Sequence, residues 1–366
     1  MIYNVLQYLE ESAKKHPDKT VLKDEYGEVS YSDLVTNARK IGSYVTSKIS
    51  GETGKPVAVL IDRNLLSVTA FFGVVYSGNF YVPIDMSMPK ERIDTILGTL
   101  SPVMVIDCRP GSQSDDDGVR VATILETAAI DDAALSVIRN NMIDEDPLYA
   151  IFTSGSTGVP KGVLVSHRSV IDLVCAFEEA FSFDEETVFC NQAPFDFDVS
   201  VKDIYNCIYC GGSIVIAPKK LFMSPKLLVE FLAANKVTTL IWAVSALRII
   251  SDFKAVESAG DVPALKNVMF SGEVMPVKSL NYWKEKFPET RFVNLYGPTE
   301  ITCNCTYYVI DRDFAPEDKI PVGKAFKNSR VMLLDENLKP VTEKGITGEI
   351  CVAGRCLALG YWNNHE

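Results

Sequence analysis

From residue 56 onward the chain alternates between two periods, and no other feature limits its fold as sharply. Short runs rich in Val, Ile and Phe read as strands: PVAVLI from Pro56, PVMVID from Pro102, LYAIFT from Leu148, TVFCNQ from Thr187, SIVIA from Ser213, TTLIWA from Thr238, NVMFSG from Asn267 and RFVNLYG from Arg291. Segments between them, such as residues 225–235 and 277–287, carry the spacing of amphipathic helices. Strand and helix in alternation predict α/β layering with largely parallel sheets. At 366 residues the chain is too long for one compact pair of layers, so two or three packed subdomains are expected. After about residue 305 the pattern becomes strand, turn, strand (TYYVI, SRVMLLDEN, GEICVAG), which predicts a small β-rich piece.

The net charge of −12 is spread along the chain apart from the run Asp115 to Asp117, which favours solubility and argues against nucleic acid as a partner. The most apolar stretch, from Leu65 to Pro83, is interrupted by Ser67, Ser77, Gly78 and Asn79 and falls short of a membrane span. The amino terminus places its lysines after its apolar residues and lacks a cleavable signal pattern, so a cytoplasmic protein is expected.

Nine cysteines without framework spacing fit reduced thiols. Cys207 and Cys210 form a CxxC, and Cys303 and Cys305 a CxC. The first pair lies inside the helical run VSVKDIYNCIYC, and His16, His167 and His365 are the only histidines, so core cysteines are expected over a zinc site.

Directly after the strand LYAIF comes TSGSTGVPKG, residues 153 to 162. Glycines, hydroxyl side chains and one lysine offer backbone N–H groups, hydroxyl donors and a mobile cation to a polyphosphate. A Walker A loop requires GxxxxGK[ST], whereas here Pro160 precedes Lys161 and Gly162 follows it. A GxGxxG dinucleotide fingerprint is absent as well.

The loop resembles the [ST]SG[ST]TGxPKG phosphate loop of the adenylate-forming enzymes, the superfamily of acyl-CoA synthetases, luciferases and adenylation domains of nonribosomal peptide synthetases. Further stretches resemble that family in order: SYSDL at Ser30, VVYSGNFYVPIDMSMPKERI at Val74, FSGE at Phe270, NLYGPTE at Asn294, PVGKA at Pro321 and TGEICVAGRCLALGYWN at Thr347. The likeness spans essentially the whole chain and is nearest to amino-acid-activating members, including D-alanine carrier-protein ligases. It implies two packed α/β subdomains with mostly parallel sheets over residues 1–304, layered αβαβα, and a β-rich distorted barrel over 305–366.

The implied reaction is attack of an amino acid carboxylate on the α-phosphate of ATP with Mg²⁺, followed by transfer to a phosphopantetheine carrier protein. The resemblance assigns Thr153, Ser154, Gly155, Ser156, Thr157, Gly158 and Lys161 to the outer phosphates, with Gly272 and Glu273 bordering adenine. Asn294 would hydrogen-bond adenine, Tyr296 stack on it with Gly297 beside it, Thr299 meet the α-phosphate and Glu300 hold Mg²⁺. Thr153, Lys161, Thr299 and Glu300 form the catalytic set. These residue types suit those tasks: a flat aromatic for a base, a hydroxyl for phosphate, a hard carboxylate for a hard cation.

Within FDFDVSVKD, Asp198 falls where the family keeps the partner of the substrate's α-ammonium, and capping of the following helix is its alternative role. Val199, Lys202, Trp242, Met269, Ser271, Leu295, Cys303 and Asn304 complete the implied substrate pocket. Lys202 either reads an acidic side chain, glutamate or aspartate, or runs along the helix surface to solvent or pairs in the neighbourhood of Asp203. Asp196 is expected to be a solvated or structural acid and Asp203 a helix-surface charge. Complete family members continue past GYWN into a further segment, a hinge and a C-terminal lid domain, so the chain reads as the large N-terminal part, weakly active by itself. Alternatives are a D-alanine carrier-protein ligase, an acyl- or aryl-acid ligase, and a nucleotide-binding module without turnover.

Overall fold

Every expected strand forms, and the parallel ones gather into two large sheets. The computed structural model describes residues 2–111, 118–153 and 160–364. A seven-stranded sheet runs in the order Gly360–Tyr361, Lys161–Ser166, Pro147–Thr153, Phe80–Asp85, Pro56–Ile61, Met104–Asp107, Val119–Arg120. A nine-stranded sheet runs Lys324–Ala325, Thr306–Val309, Arg291–Tyr296, Asn267–Ser271, Thr239–Ala243, Val188–Asn191, Ser213–Ile216, Thr20–Lys23, Glu28–Ser30. Central pairings are parallel, and antiparallel strands close every edge but one, where Val119–Arg120 pairs in parallel with Met104–Asp107.

Between the sheets lies a helical layer made of Tyr31–Lys48, Leu65–Tyr76, His167–Phe181 and Val199–Cys210, whose apolar residues join the largest buried cluster. This layer explains the apolar stretch from Leu65. It is a helix covered on all sides, followed by a turn and a buried strand, and residues Ser67 to Tyr76 are all buried. Gly73 lets it approach helix Tyr31–Lys48, because a Cβ there would stand 2.5 Å from the Ile41 side chain. Helix starts follow local chemistry: the Ser30, Asn64 and Ser166 side chains each accept the N–H of the third residue on.

Outer layers complete the αβαβα order. Helix Lys90–Leu100 covers Ala58, Leu60, Val82 and Ile84 on one sheet. Helices Pro225–Ala234, Val244–Asp252 and Val277–Lys286 cover Leu240, Trp242, Val268 and Phe270 on the other.

The segment after residue 305 is rich in strands as expected, yet no closed barrel forms among the described residues. Thr306–Val309 and Lys324–Ala325 extend the nine-stranded sheet, Ser329–Leu334 and Glu349–Gly354 pair only with each other, and Gly360–Tyr361 edges the seven-stranded sheet. Open edges of the two sheets offer these short strands more backbone partners than a ring of their own would. The acidic run 115–117 and His365 lie outside the described residues. Among the described residues no helix is long and apolar enough to cross a membrane.

Candidate functional site

At the carboxyl end of the nine-stranded sheet, strand Arg291–Tyr296 runs into a short turn of helix, Thr299–Ile301, that meets the start of helix Val199–Cys210. Asp198 occupies the N-cap position of that helix, but its side chain makes no cap bond to the helix. Cys303 Sγ donates to its carbonyl at 3.0 Å, and the Thr299 hydroxyl lies near enough to its carboxylate to favour the charged form. Burial holds the Asp198 carboxyl above the usual range, Lys202 draws it down, and Glu300 pushes it up.

One helical turn further on, Lys202 is 1% exposed and points inward, so it does not run to solvent. Its ammonium donates to Ser271 Oγ at 3.1 Å and to Asn304 Oδ1 at 3.0 Å. Among the described residues it forms no ion pair, so a buried cation meets two neutral acceptors and keeps a third N–H. Burial lowers its pKa, opposed by Cys303, Asp198 and Asp203.

Asn304 reaches Lys202 because the backbone before it is held in an uncommon shape. Thr302 and Cys303 take left-handed φ values of 55° and 74°, a costly conformation for residues with a Cβ. Gly297 lies under this turn, where a Cβ would come 2.6 Å from Asn304 Cα.

Sheet register decides which residues share a face. Ile241 pairs with Met269, whereas Trp242 pairs with Phe270. Ile241, Met269, Val293, Leu295 and Cys303 join the central cluster; Trp242 joins the outer one, with Nε1 donating to the Cys190 carbonyl at 2.7 Å. Trp242, expected in the substrate pocket with Met269, is therefore corrected to the opposite face of the sheet, and Ile241 takes the side of Met269. Sequence reading lands one residue away because neighbouring positions on a strand face opposite ways. Val199 opens the helix and is half-buried.

Thr153 and Lys161 pair across adjacent antiparallel strands, and the intervening Ser154, Gly155, Ser156, Thr157 and Gly158 lie outside the described residues. Tyr296 is half-buried at the end of its strand, and Asn294 donates to the Pro321 carbonyl at 2.9 Å. Gly272 and Glu273 are exposed just past strand Asn267–Ser271, with Gly272 at φ 89°. Glu300 accepts a hydrogen bond from Tyr361 at 2.9 Å, and Lys161 Nζ lies 5.2 Å from the centre of the same Tyr361 ring.

Other groups at this centre escaped sequence reading. The Tyr81 and Tyr205 hydroxyls meet at 3.0 Å, and the buried Tyr149 hydroxyl has no partner among the described residues. Asp203 is corrected from a surface charge to a fully buried acid: Asn191 donates to it at 3.1 Å, and burial pushes its carboxyl up to about 8. Asp196 is half-buried, its Oδ1 has no partner among the described residues, and burial raises it to about 6. A carboxylate spaced like an exposed helical residue gives no local sign that a sheet covers it.

A profile of the AMP-binding enzyme family matches residues 9–362. The chain is 28% identical over 363 residues to a D-alanine–D-alanyl carrier protein ligase of Bacillus licheniformis, covering 98% of this chain and 71% of that protein. It is 26% identical to tyrocidine synthase 1 of Brevibacillus parabrevis, covering 99% of this chain and 32% of that one. Among solved structures, holo-PA1221, a nonribosomal peptide synthetase protein containing adenylation and carrier domains, superposes with a TM-score of 0.87 at 25% identity, covering 99% of this chain and 61% of that chain. The Klebsiella oxytoca NpsA N-terminal subdomain shares the fold, with a TM-score of 0.82 over 98% of this chain and 89% of that chain.

Proposed function

The chain belongs to the AMP-binding enzyme family, and from that premise we propose that it activates an amino acid with an acidic side chain as its adenylate, for transfer to a phosphopantetheine carrier protein. The observation that carries the substrate class is Lys202, buried against Ser271 and Asn304 without a carboxylate partner among the described residues. Desolvating a cation is expensive, and a substrate carboxylate entering beside it restores the missing charge. Asp198 sits one helical turn away and takes the α-ammonium, so the two ends of glutamate or aspartate meet opposite charges across one turn.

Residues nearer the strand ends suit the reaction's anionic partner. ATP supplies the α-phosphorus to be attacked and pyrophosphate as the leaving group, and Mg²⁺ offsets their charge. Among the described residues Lys161 forms no ion pair and is available to the outer phosphates. Glu300 forms no ion pair among the described residues, and its carboxylate is the hard oxygen donor that Mg²⁺ prefers. Thr299 stands between the two halves: its hydroxyl lies near Asp198, and Glu300 follows it in the same short turn. Tyr296 offers a flat face to the adenine.

A D-alanine carrier-protein ligase is the second reading, favoured by the 71% of such a protein that the chain spans. A methyl side chain would leave the Lys202 charge unanswered. Calorimetric titration with Mg·ATP and a panel of glutamate, aspartate, glutamine, leucine, D-alanine and benzoate separates the readings. Glutamate or aspartate is expected to bind at least about tenfold more tightly than the rest, a gap of about 1.4 kcal/mol. Preference for D-alanine, leucine or benzoate would refute the acidic assignment.

A further inference from the structure

The residues from Cys356 to Asn363 stitch together the turn that holds Glu300, the strand that opens with Lys161, and the outer cover of the seven-stranded sheet at Phe80 and Leu100. Thr302 Oγ1 donates to the Cys356 carbonyl at 2.8 Å, and the Ala358 N–H donates to the Glu300 carbonyl at 2.8 Å. The N–H groups of Leu359 and Trp362 donate to the carbonyls of Leu164 and Gly162, each at 2.8 Å, fixing Gly360–Tyr361 along strand Lys161–Ser166. Trp362 anchors the far end: its ring meets Phe80 edge-on at 5.0 Å, and its Nε1 donates to the Leu100 carbonyl at 3.2 Å.

This stitching leaves the Tyr361 side chain in contact with two opposite charges at once. Its hydroxyl donates to Glu300 Oε1 at 2.9 Å, and the Lys161 ammonium lies 5.2 Å from its ring centre. Lys161 and Glu300 make no ion pair with each other. A phenol is well suited to that place, since its hydroxyl binds a carboxylate and its ring face attracts an ammonium.

We propose that Tyr361 is a positioning residue: it fixes the Glu300 carboxylate for a divalent cation and keeps the Lys161 ammonium on its ring, available to phosphate. With one Glu300 oxygen engaged by the phenol, the other is oriented for the metal. Without the ring, Lys161 and Glu300 are free to neutralise each other, which would remove both from the nucleotide. This inference rests on the reading of Glu300 as the metal ligand.

The test uses the chain as it stands, with Mn²⁺ as a paramagnetic probe and a non-hydrolysable ATP analogue. Mn²⁺ binding is followed by electron paramagnetic resonance, nucleotide binding by calorimetry with and without metal, and folding by thermal melting. Tyr361→Phe keeps the ring and loses the hydroxyl. It is expected to weaken Mn²⁺ binding about three- to tenfold, leaving metal-free nucleotide affinity and the melting temperature near wild type. Tyr361→Leu is expected to weaken metal-free nucleotide binding as well, since Lys161 loses its ring. Glu300→Gln is the reference and should abolish the Mn²⁺ response. Wild-type Mn²⁺ binding in Tyr361→Phe, with Glu300→Gln defective, overturns the role of Tyr361 alone. A Glu300→Gln protein that binds Mn²⁺ normally, or a wild type that binds no nucleotide, overturns the nucleotide-site reading beneath it.

Discussion

The Lys202 ammonium and the Asn304 amide oxygen lie 3.0 Å apart in a part of the molecule where Lys202 is 1% exposed. A lysine so placed carries a desolvation cost that two neutral acceptors offset only in part, and under the proposed function a substrate carboxylate offsets the rest.

Replacing Lys202 by methionine separates those two effects. Lys202→Met should leave the fold as stable or raise its melting temperature, because a desolvated cation gives way to an apolar chain of similar length. Binding of glutamate or aspartate should weaken by about 2–5 kcal/mol, the range for truncating one partner of a buried charge pair. Thermal melting and calorimetry measure the two. Unchanged affinity for acidic substrates in this variant would remove Lys202 from the pocket.

Asp203 predicts a pH dependence of stability. Its folded value is raised from 3.8 to about 8 by burial, so the folded state keeps a proton that the unfolded chain releases. The stability tied to that proton is present at low pH and declines as pH rises from the lower value toward the upper one, by up to about 1.4 kcal/mol per pH unit. Asp203→Asn carries no such titration and retains an oxygen for Asn191. Its stability relative to wild type should therefore grow with pH across that window, measured by urea unfolding at a series of pH values. Parallel pH profiles for the two proteins would count against a protonated Asp203.

Trp242→Phe tests the face assigned by sheet register. Losing the indole N–H leaves the Cys190 carbonyl short of a donor, which should cost about 1–3 kcal/mol of stability by urea unfolding. Amino acid selectivity should be unchanged. Ile241→Ala, on the opposite face, should alter the ranking of substrates. Altered selectivity in the tryptophan variant alone would reverse this assignment.

The strands from Pro56 to Tyr296 were legible because β-branched runs bounded by Gly, Pro or Asp carry their own period. Strand Phe80–Asp85 was harder to see, since it follows helix Leu65–Tyr76 and both are buried all round, which erases the polar face that marks either period. Lys161–Ser166 was hidden for another reason: its first residues belong to the glycine-rich loop in sequence and to a sheet in space. Proximity within the candidate site was legible where one short motif carries several of its residues, as with Asp198 and Lys202 or Thr299 and Glu300. It was not legible where burial depends on distant strands. Asp203 has the spacing of a surface acid, and only the packing of its helix against the sheet that carries Asn191 makes it a buried core group.

Pairing of Gly360–Tyr361 with Lys161–Ser166 joins segments that leave the ribosome roughly two hundred residues apart. Strand Thr20–Lys23 likewise waits for Ser213–Ile216. Such distant closures are slow, since chain entropy must be given up before the contacts that reward it exist. The lysine-bearing strand is thus made early and stays an unpaired edge through much of synthesis. A nascent chain halted before residue 361 would carry Lys161 and Glu300 yet lack the strand that contacts both, exposing that edge to aggregation or to a chaperone.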